Sequence, residues 1–88
     1  MSSQMNLPLK KHVLTAVLRQ AGNAHHEYET RYLGEKDPDW AGWYAAYVLG
    51  KMGHFTTQEK LTHWLRSVPD QGDWHETAAD AILKQLHT

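Results

Sequence analysis

The stretch DWAGWYAAYVLGKM, residues 39–52, contains almost no charged side chains between its ends. On a helix of 3.6 residues per turn, its large side chains share one side, and smaller apolar residues lie on the two flanks. The large side chains are those of Trp40, Tyr44, Tyr47 and Val48, and the flanking residues are Ala41, Ala45, Leu49 and Met52. A helix that is apolar on nearly all sides is typical of a buried element. We therefore predict that this second helix is the central element of the fold.

The same helix carries a line of very small residues, because Gly42, Ala46 and Gly50 follow one another at steps of four. Small side chains let the backbone of a neighbouring helix approach closely, and we expect such packing along this line. The alternative is that the glycines only weaken the helix, at a cost of about 1 kcal/mol each relative to alanine.

Turn and capping residues outside this segment delimit three further helices. Asp37 and Pro38 suit the N-cap and first position of the second helix, which should end near Gly53. A first helix is predicted over about 8–33, beginning at Asn6–Pro8, ending at Gly34 and kinked at Gly22–Asn23. Its apolar stripe comprises Leu14, Leu18, Ala21, His25, Tyr28 and Tyr32, widened by Val13, Val17 and Ala24.

The third and fourth helices begin at recognisable capping sequences. Thr56 and Glu59 have the spacing of a capping box, and Asp73 precedes the last helix. The inward residues predicted for these two helices are Leu61, Trp64, Leu65, Ala78, Ala81, Ile82 and Leu86. The sequence thus predicts an all-α fold, a small bundle of about four helices. Residues 1–7 should form a flexible N-terminal segment and 8–88 a single helical domain.

Composition excludes several classes of protein. The 88 residues include no cysteine, so disulfides and cysteine zinc sites are impossible. No apolar run has the length of a signal peptide or a membrane span, which favours a cytoplasmic protein without membrane contact. Nine basic residues against ten acidic ones are scattered along the chain, so we expect no nucleic-acid partner.

The adjacent histidines at 25 and 26 point in different directions on a helix. His25 belongs to the apolar stripe and should face inward, whereas His26 should face water. Glu29 follows His25 by four residues and Tyr28 by three, so these three side chains could form a proton-transfer pair or part of a metal site. A metal ion needs further ligands, for which Asp39, His54 and His63 are candidates. The simpler interpretation is a half-buried core histidine hydrogen-bonded to Glu29 or to a tyrosine.

Binding is the function that the sequence favours, since no nucleophile motif, phosphate loop or carboxylate pair indicates an enzyme. Tryptophan and tyrosine are enriched at the centres of protein interfaces, and Trp43 and Tyr47 are the least expected to be wholly internal. We predict self-association or a protein partner, bound through the aromatic side of the second helix. The alternative is a small-ligand or metal-assisted site in the groove between the first two helices. Its residues would be His25, Tyr28 and Glu29, with Trp40, Trp43, Tyr44 and Tyr47 as walls. No cofactor is predicted; a divalent metal held by His25 and Glu29 belongs to this alternative.

Overall fold

The computed structural model describes residues 9–87, which form four α-helices and no strand. The helices are α1 (Lys11–Tyr28), α2 (Trp40–Met52), α3 (Gln58–Arg66) and α4 (Trp74–Leu86). A π-helical turn, Glu29–Leu33, continues α1 without a break. The predicted all-α bundle of about four helices is confirmed. The predicted flexible segment 1–7 and the helix start at Asn6–Pro8 lie outside the described residues.

The first helix ends where the sequence predicts. Gly34 has a φ of 70°, the left-handed conformation that glycine adopts readily at helix ends. Its N–H donates to the carbonyl oxygen of Glu29 at 2.6 Å, which closes the π-helical turn. The helix continues through Gly22 and Asn23, and its hydrogen bonding changes to the π-helical pattern at residues 29–33.

The starts of α2 and α3 differ from the predictions by one or two residues. The second helix begins at Trp40, because Asp37 and Pro38 form a turn in which Oδ1 of Asp37 accepts the Asp39 N–H at 2.9 Å. The predicted capping box at Thr56 is wrong. Thr57 is the N-cap of α3, and its hydroxyl accepts the Lys60 N–H at 3.2 Å.

Two capping predictions are confirmed. Asp73 caps α4 by accepting the N–H groups of His75 and Glu76, and α2 ends at Gly53.

The four helices form a ring in which each packs against two others. The first and third helices both contact the second and the fourth, while α1 and α3 stay apart, as do the backbones of α2 and α4. The core lies inside this ring and consists mainly of leucine and other aliphatic side chains. The largest of those fully buried are Leu14, Leu18, Val48, Leu61, Leu65 and Ile82.

The second helix is covered on two sides and open on a third, which differs from the expectation of burial on nearly all sides. Its buried residues are Ala41, Ala45, Val48 and Leu49. Ala46 and Gly50 are exposed, and a methyl group built on Gly50 would meet no atom within 4 Å. The expected close packing along the line of small residues is therefore wrong. The neighbouring helices instead pack on the flank of Ala41 and Ala45, which lies about a quarter turn away.

The apolar stripe of the first helix is buried in its middle but exposed at both ends. Leu14, Leu18 and Ala21 are fully buried. Val13 is 41% exposed and Tyr32 is 77% exposed, so neither belongs to the core as predicted. Tyr32 lies in the π-helical turn, whose larger number of residues per turn changes the direction in which its residues project.

Candidate functional site

His25 lies inside the protein between two carboxylates. It is 5% exposed, as the sequence predicts, whereas His26 is exposed. Its Nε2–H donates to Oδ2 of Asp37 at 3.0 Å, and its Nδ1 is 3.8 Å from Oε2 of Glu29. The same Oε2 of Glu29 accepts the backbone N–H of Asp37 at 2.7 Å. These three side chains form the carboxylate–histidine cluster, which fastens the connection between α1 and α2.

Asp37 is the member of this cluster that sequence reasoning missed. It was assigned only to the start of the second helix, because nothing in the sequence shows that the turn after Gly34 returns to His25. The hydrogen bond from His25 lowers the pKa of Asp37, and the hydrogen bond from the Asp39 N–H lowers it further. The carboxyl group is therefore held in its charged form beside the imidazole.

The geometry of the cluster suits structural support better than metal binding or proton transfer. The two carboxylates lie beside different ring nitrogens, so they do not converge on one point in space. Within residues 9–87, no group of three histidine or acidic side chains could hold a metal ion, so Asp39, His54 and His63 do not complete a site. A general base needs one ring nitrogen facing its substrate. In His25, Asp37 lies beside one ring nitrogen and Glu29 beside the other.

Four aromatic rings lie in a row beside His25 of this cluster. Tyr32 contacts Tyr28 at 6.2 Å between ring centroids, Tyr28 contacts Trp43 at 5.8 Å, and Trp43 contacts Tyr47 at 5.7 Å. The last two pairs are stacked, with interplanar angles of 29° and 16°. We call these four residues the aromatic ladder. The rings of Tyr28, Trp43 and Tyr47 are partly exposed, so the ladder lies at the surface across α1 and α2.

His25 contacts two rings of the ladder, and Lys51 lies beside the last ring. The imidazole contacts the ring of Trp43 at 5.0 Å and that of Tyr28 at 6.0 Å. At the far end, Nζ of Lys51 lies 5.6 Å from the centroid of Tyr47, within the range of a cation–π contact. His25 therefore supports two of the four rings from inside the protein, and the rings remain partly exposed.

Trp40 and Tyr44 do not belong to the ladder, although the sequence grouped them with Trp43 and Tyr47. They turn toward the start of α4, where both contact Trp74. We call Trp40, Tyr44 and Trp74 the aromatic corner. Burial raises the pKa of Tyr44, and the nearby charge of Glu29 raises it further. Trp74 is separated from α2 by more than twenty residues, so only the folded chain could reveal this grouping.

Comparisons with protein-family models, curated proteins and solved structures found no match, so the site is interpreted from its own geometry. Among the described helices, none combines the length and the hydropathy needed to cross a membrane.

Proposed function

We propose that the protein functions by binding a protein surface through the aromatic ladder, and that this surface is a second copy of the same chain. The observation that carries the proposal is the row of four contacting, partly exposed rings. Tyrosine and tryptophan bury a large area at a small cost in conformational entropy, and each keeps a polar group for hydrogen bonding. A row of such rings on a rigid support has the features of an interface centre.

The two ends of the ladder support self-association in particular. Lys51 supplies a cation at one end, and the other end presents the ring of Tyr32, which is 77% exposed. In a two-fold dimer the same patch serves both copies. With the ladders antiparallel, Lys51 of each copy would lie over Tyr32 of the other. Both ends of each ladder would then take part in a cation–π contact between the copies.

Sedimentation equilibrium at micromolar to millimolar concentration tests this proposal. We expect a monomer–dimer equilibrium whose dissociation constant rises at least about tenfold in Tyr32→Ser. Because Tyr32 is so exposed, this substitution should leave the fold intact, as a circular dichroism spectrum would show. Val13→Ser is the matched control, since Val13 is also an exposed apolar residue but lies outside the ladder. A monomer at every concentration would refute the proposal, as would an equal effect of the control.

The alternative is a small-ligand or metal-assisted site built from His25, Tyr28 and Glu29. The contact of His25 with the ladder supports a link to binding, but the two carboxylates beside its ring leave little room for a ligand. Zinc titration followed by histidine NMR separates the two proposals. If the alternative holds, zinc shifts the His25 resonances first and raises the melting temperature. If self-association holds, dilution changes the Tyr32 resonances and zinc has no selective effect on His25.

A further inference from the structure

The aromatic corner consists of three rings that are nearly perpendicular to one another. The interplanar angles are 87° for Trp40 with Tyr44, 73° for Trp40 with Trp74, and 89° for Tyr44 with Trp74. The corresponding centroid distances are 5.6, 5.7 and 5.9 Å.

An open pocket lies against all three rings. Val68 and Asp70 complete its lining, and its volume is about 270 Å³. Pockets for drug-sized ligands usually have volumes of about 300–1,000 Å³, so this one suits a smaller group.

The electrostatics of the pocket favour a cation. The faces of aromatic rings carry negative potential, and the carboxylate of Asp70 stands at the edge of the pocket. Asp70 is exposed and forms no ion pair with any residue of the described chain. The nearest basic residue along α3, Arg66, is instead paired with Asp39 at 3.4 Å. The carboxylate of Asp70 is therefore available to an incoming positive charge.

We propose that the aromatic corner, with Asp70, binds a methylated ammonium group. An unmodified ammonium group is strongly hydrated and would lose hydrogen bonds to water on entering a pocket of three rings. A trimethylammonium group donates no hydrogen bonds and presents methyl groups that pack against the rings, while its charge is attracted to their faces. The same chemistry occurs in free choline-like molecules and in trimethyllysine side chains. This inference does not depend on the proposed self-association.

Choline chloride is the probe for the first experiment, read by NMR of the tryptophan indole N–H groups. We expect the resonances of Trp40 and Trp74 to shift in a saturable manner, and that of Trp64, which lies outside the pocket, to remain unchanged. The neutral isostere 3,3-dimethylbutan-1-ol has the same shape without the charge, and it should bind about tenfold more weakly. Equal affinity for the two compounds, or no shift of either indole, would overturn the proposal.

Substitution of Asp70 tests the electrostatic contribution to cation binding without disturbing the core. Asp70→Asn keeps the size of an exposed side chain, and we expect it to weaken choline binding severalfold. Asp80→Asn is the matched control, because Asp80 is an exposed acid on α4 that pairs with Lys11. Tyr32→Ser must leave choline binding unchanged, so failure of the ladder proposal can be distinguished from failure of this one. Choline binding that is insensitive to Asp70→Asn would contradict the assigned role of Asp70.

A pair of peptides identifies the source of the ligand. One carries a trimethyllysine, and the other has the same sequence with unmodified lysine. Tighter binding of the methylated peptide than of choline would assign the pocket to a modified protein, whereas tighter binding of choline would assign it to a free small molecule. Equal binding of the two peptides would overturn the proposed preference for the methylated group.

Discussion

The aromatic ladder and the aromatic corner both include residues of α2 and use the same kinds of residue, yet their rings are arranged differently. Trp43 and Tyr47 in the ladder are nearly parallel, at 16°. In the corner, Trp40 and Tyr44 are nearly perpendicular, at 87°. Parallel rings in a row offer an extended surface, while the perpendicular rings of the corner line one pocket. Ring orientation, and not composition, therefore distinguishes the two binding proposals.

The two regions also differ in how closely they are joined to the core. Val68, which is buried, lines the pocket of the corner, and Trp74 packs against the core cluster. Tyr47 of the ladder also packs against the core, but the ladder ends in Tyr32, which is 77% exposed. Substitutions in the corner should consequently affect stability, whereas substitutions at the end of the ladder should affect association alone.

The largest expected effect tests this difference directly. Trp74→Ala should lower the free energy of unfolding by about 2–3 kcal/mol, because it removes a large, partly buried side chain beside the core. Tyr32→Ala should change it by less than about 0.5 kcal/mol, as is usual for exposed positions. Urea denaturation at a concentration where the protein is monomeric measures both. Similar losses for the two variants would show that the ladder is as much a part of the core as the corner.

Acid should affect the two regions through different aspartates. Asp37 supports the ladder, and Asp73, whose pKa is lowered mainly by its hydrogen bond from Arg19, caps the helix that begins with Trp74. Both carboxyl groups have pKa values below 3.8 in the folded protein, so the unfolded chain binds more protons as the pH falls through this range. Their stabilising contributions are complete above about pH 3.8 and are lost as the pH falls through the folded pKa values.

Added salt should distinguish the stabilising contribution of Asp73 from that of Asp37. The Arg19–Asp73 pair is largely exposed, whereas His25 and Asp37 are mostly shielded from solvent. Melting temperatures measured between about pH 2.5 and 6 should show the Asp73 contribution weakened in about 1 M NaCl and that of Asp37 retained. Asp37→Asn and Asp73→Asn identify each contribution. An equal response of both variants to salt would contradict the difference in exposure.

The smallest expected effect concerns the side of α2 that faces neither aromatic region. Gly50 is helical and its Cβ position is open, so Gly50→Ala should stabilise the protein by about 0.5–1 kcal/mol. Gly42→Ala should stabilise the protein less, because the added methyl group would lie 3.1 Å from Oδ1 of Asp39. Thermal denaturation of the two variants is the measurement. A loss of stability in Gly50→Ala would show that this side contacts another surface, as the original expectation of close packing required.

Local chemistry made much of the fold predictable from the sequence. Asp73, Gly34 and Gly53 mark helix ends through hydrogen bonding and backbone conformation that depend on a few neighbouring residues. The different exposure of His25 and His26 likewise follows from helical periodicity alone.

What the sequence could not provide depends on contacts between distant segments. An apolar pattern shows that α2 must be covered, but it does not say which neighbour covers which side. Gly50, which is exposed, and Ala45, which is buried, are both small residues, so the apolar pattern of the sequence does not distinguish them. Asp37 and Trp74 acquire their places at the site only when loops bring them to His25 and Tyr44.

The position of Tyr32 depends on the number of residues in the π-helical turn at Glu29–Leu33 rather than on side-chain chemistry. Such a turn holds one residue more than the α-helical turn that it replaces. Deleting the exposed Thr30 would remove this extra residue and let the segment wind as an ordinary helix, with Tyr32 three residues after Tyr28 instead of four. Loss of a single codon, with every aromatic residue retained, would then change the contact between the last two rings of the row.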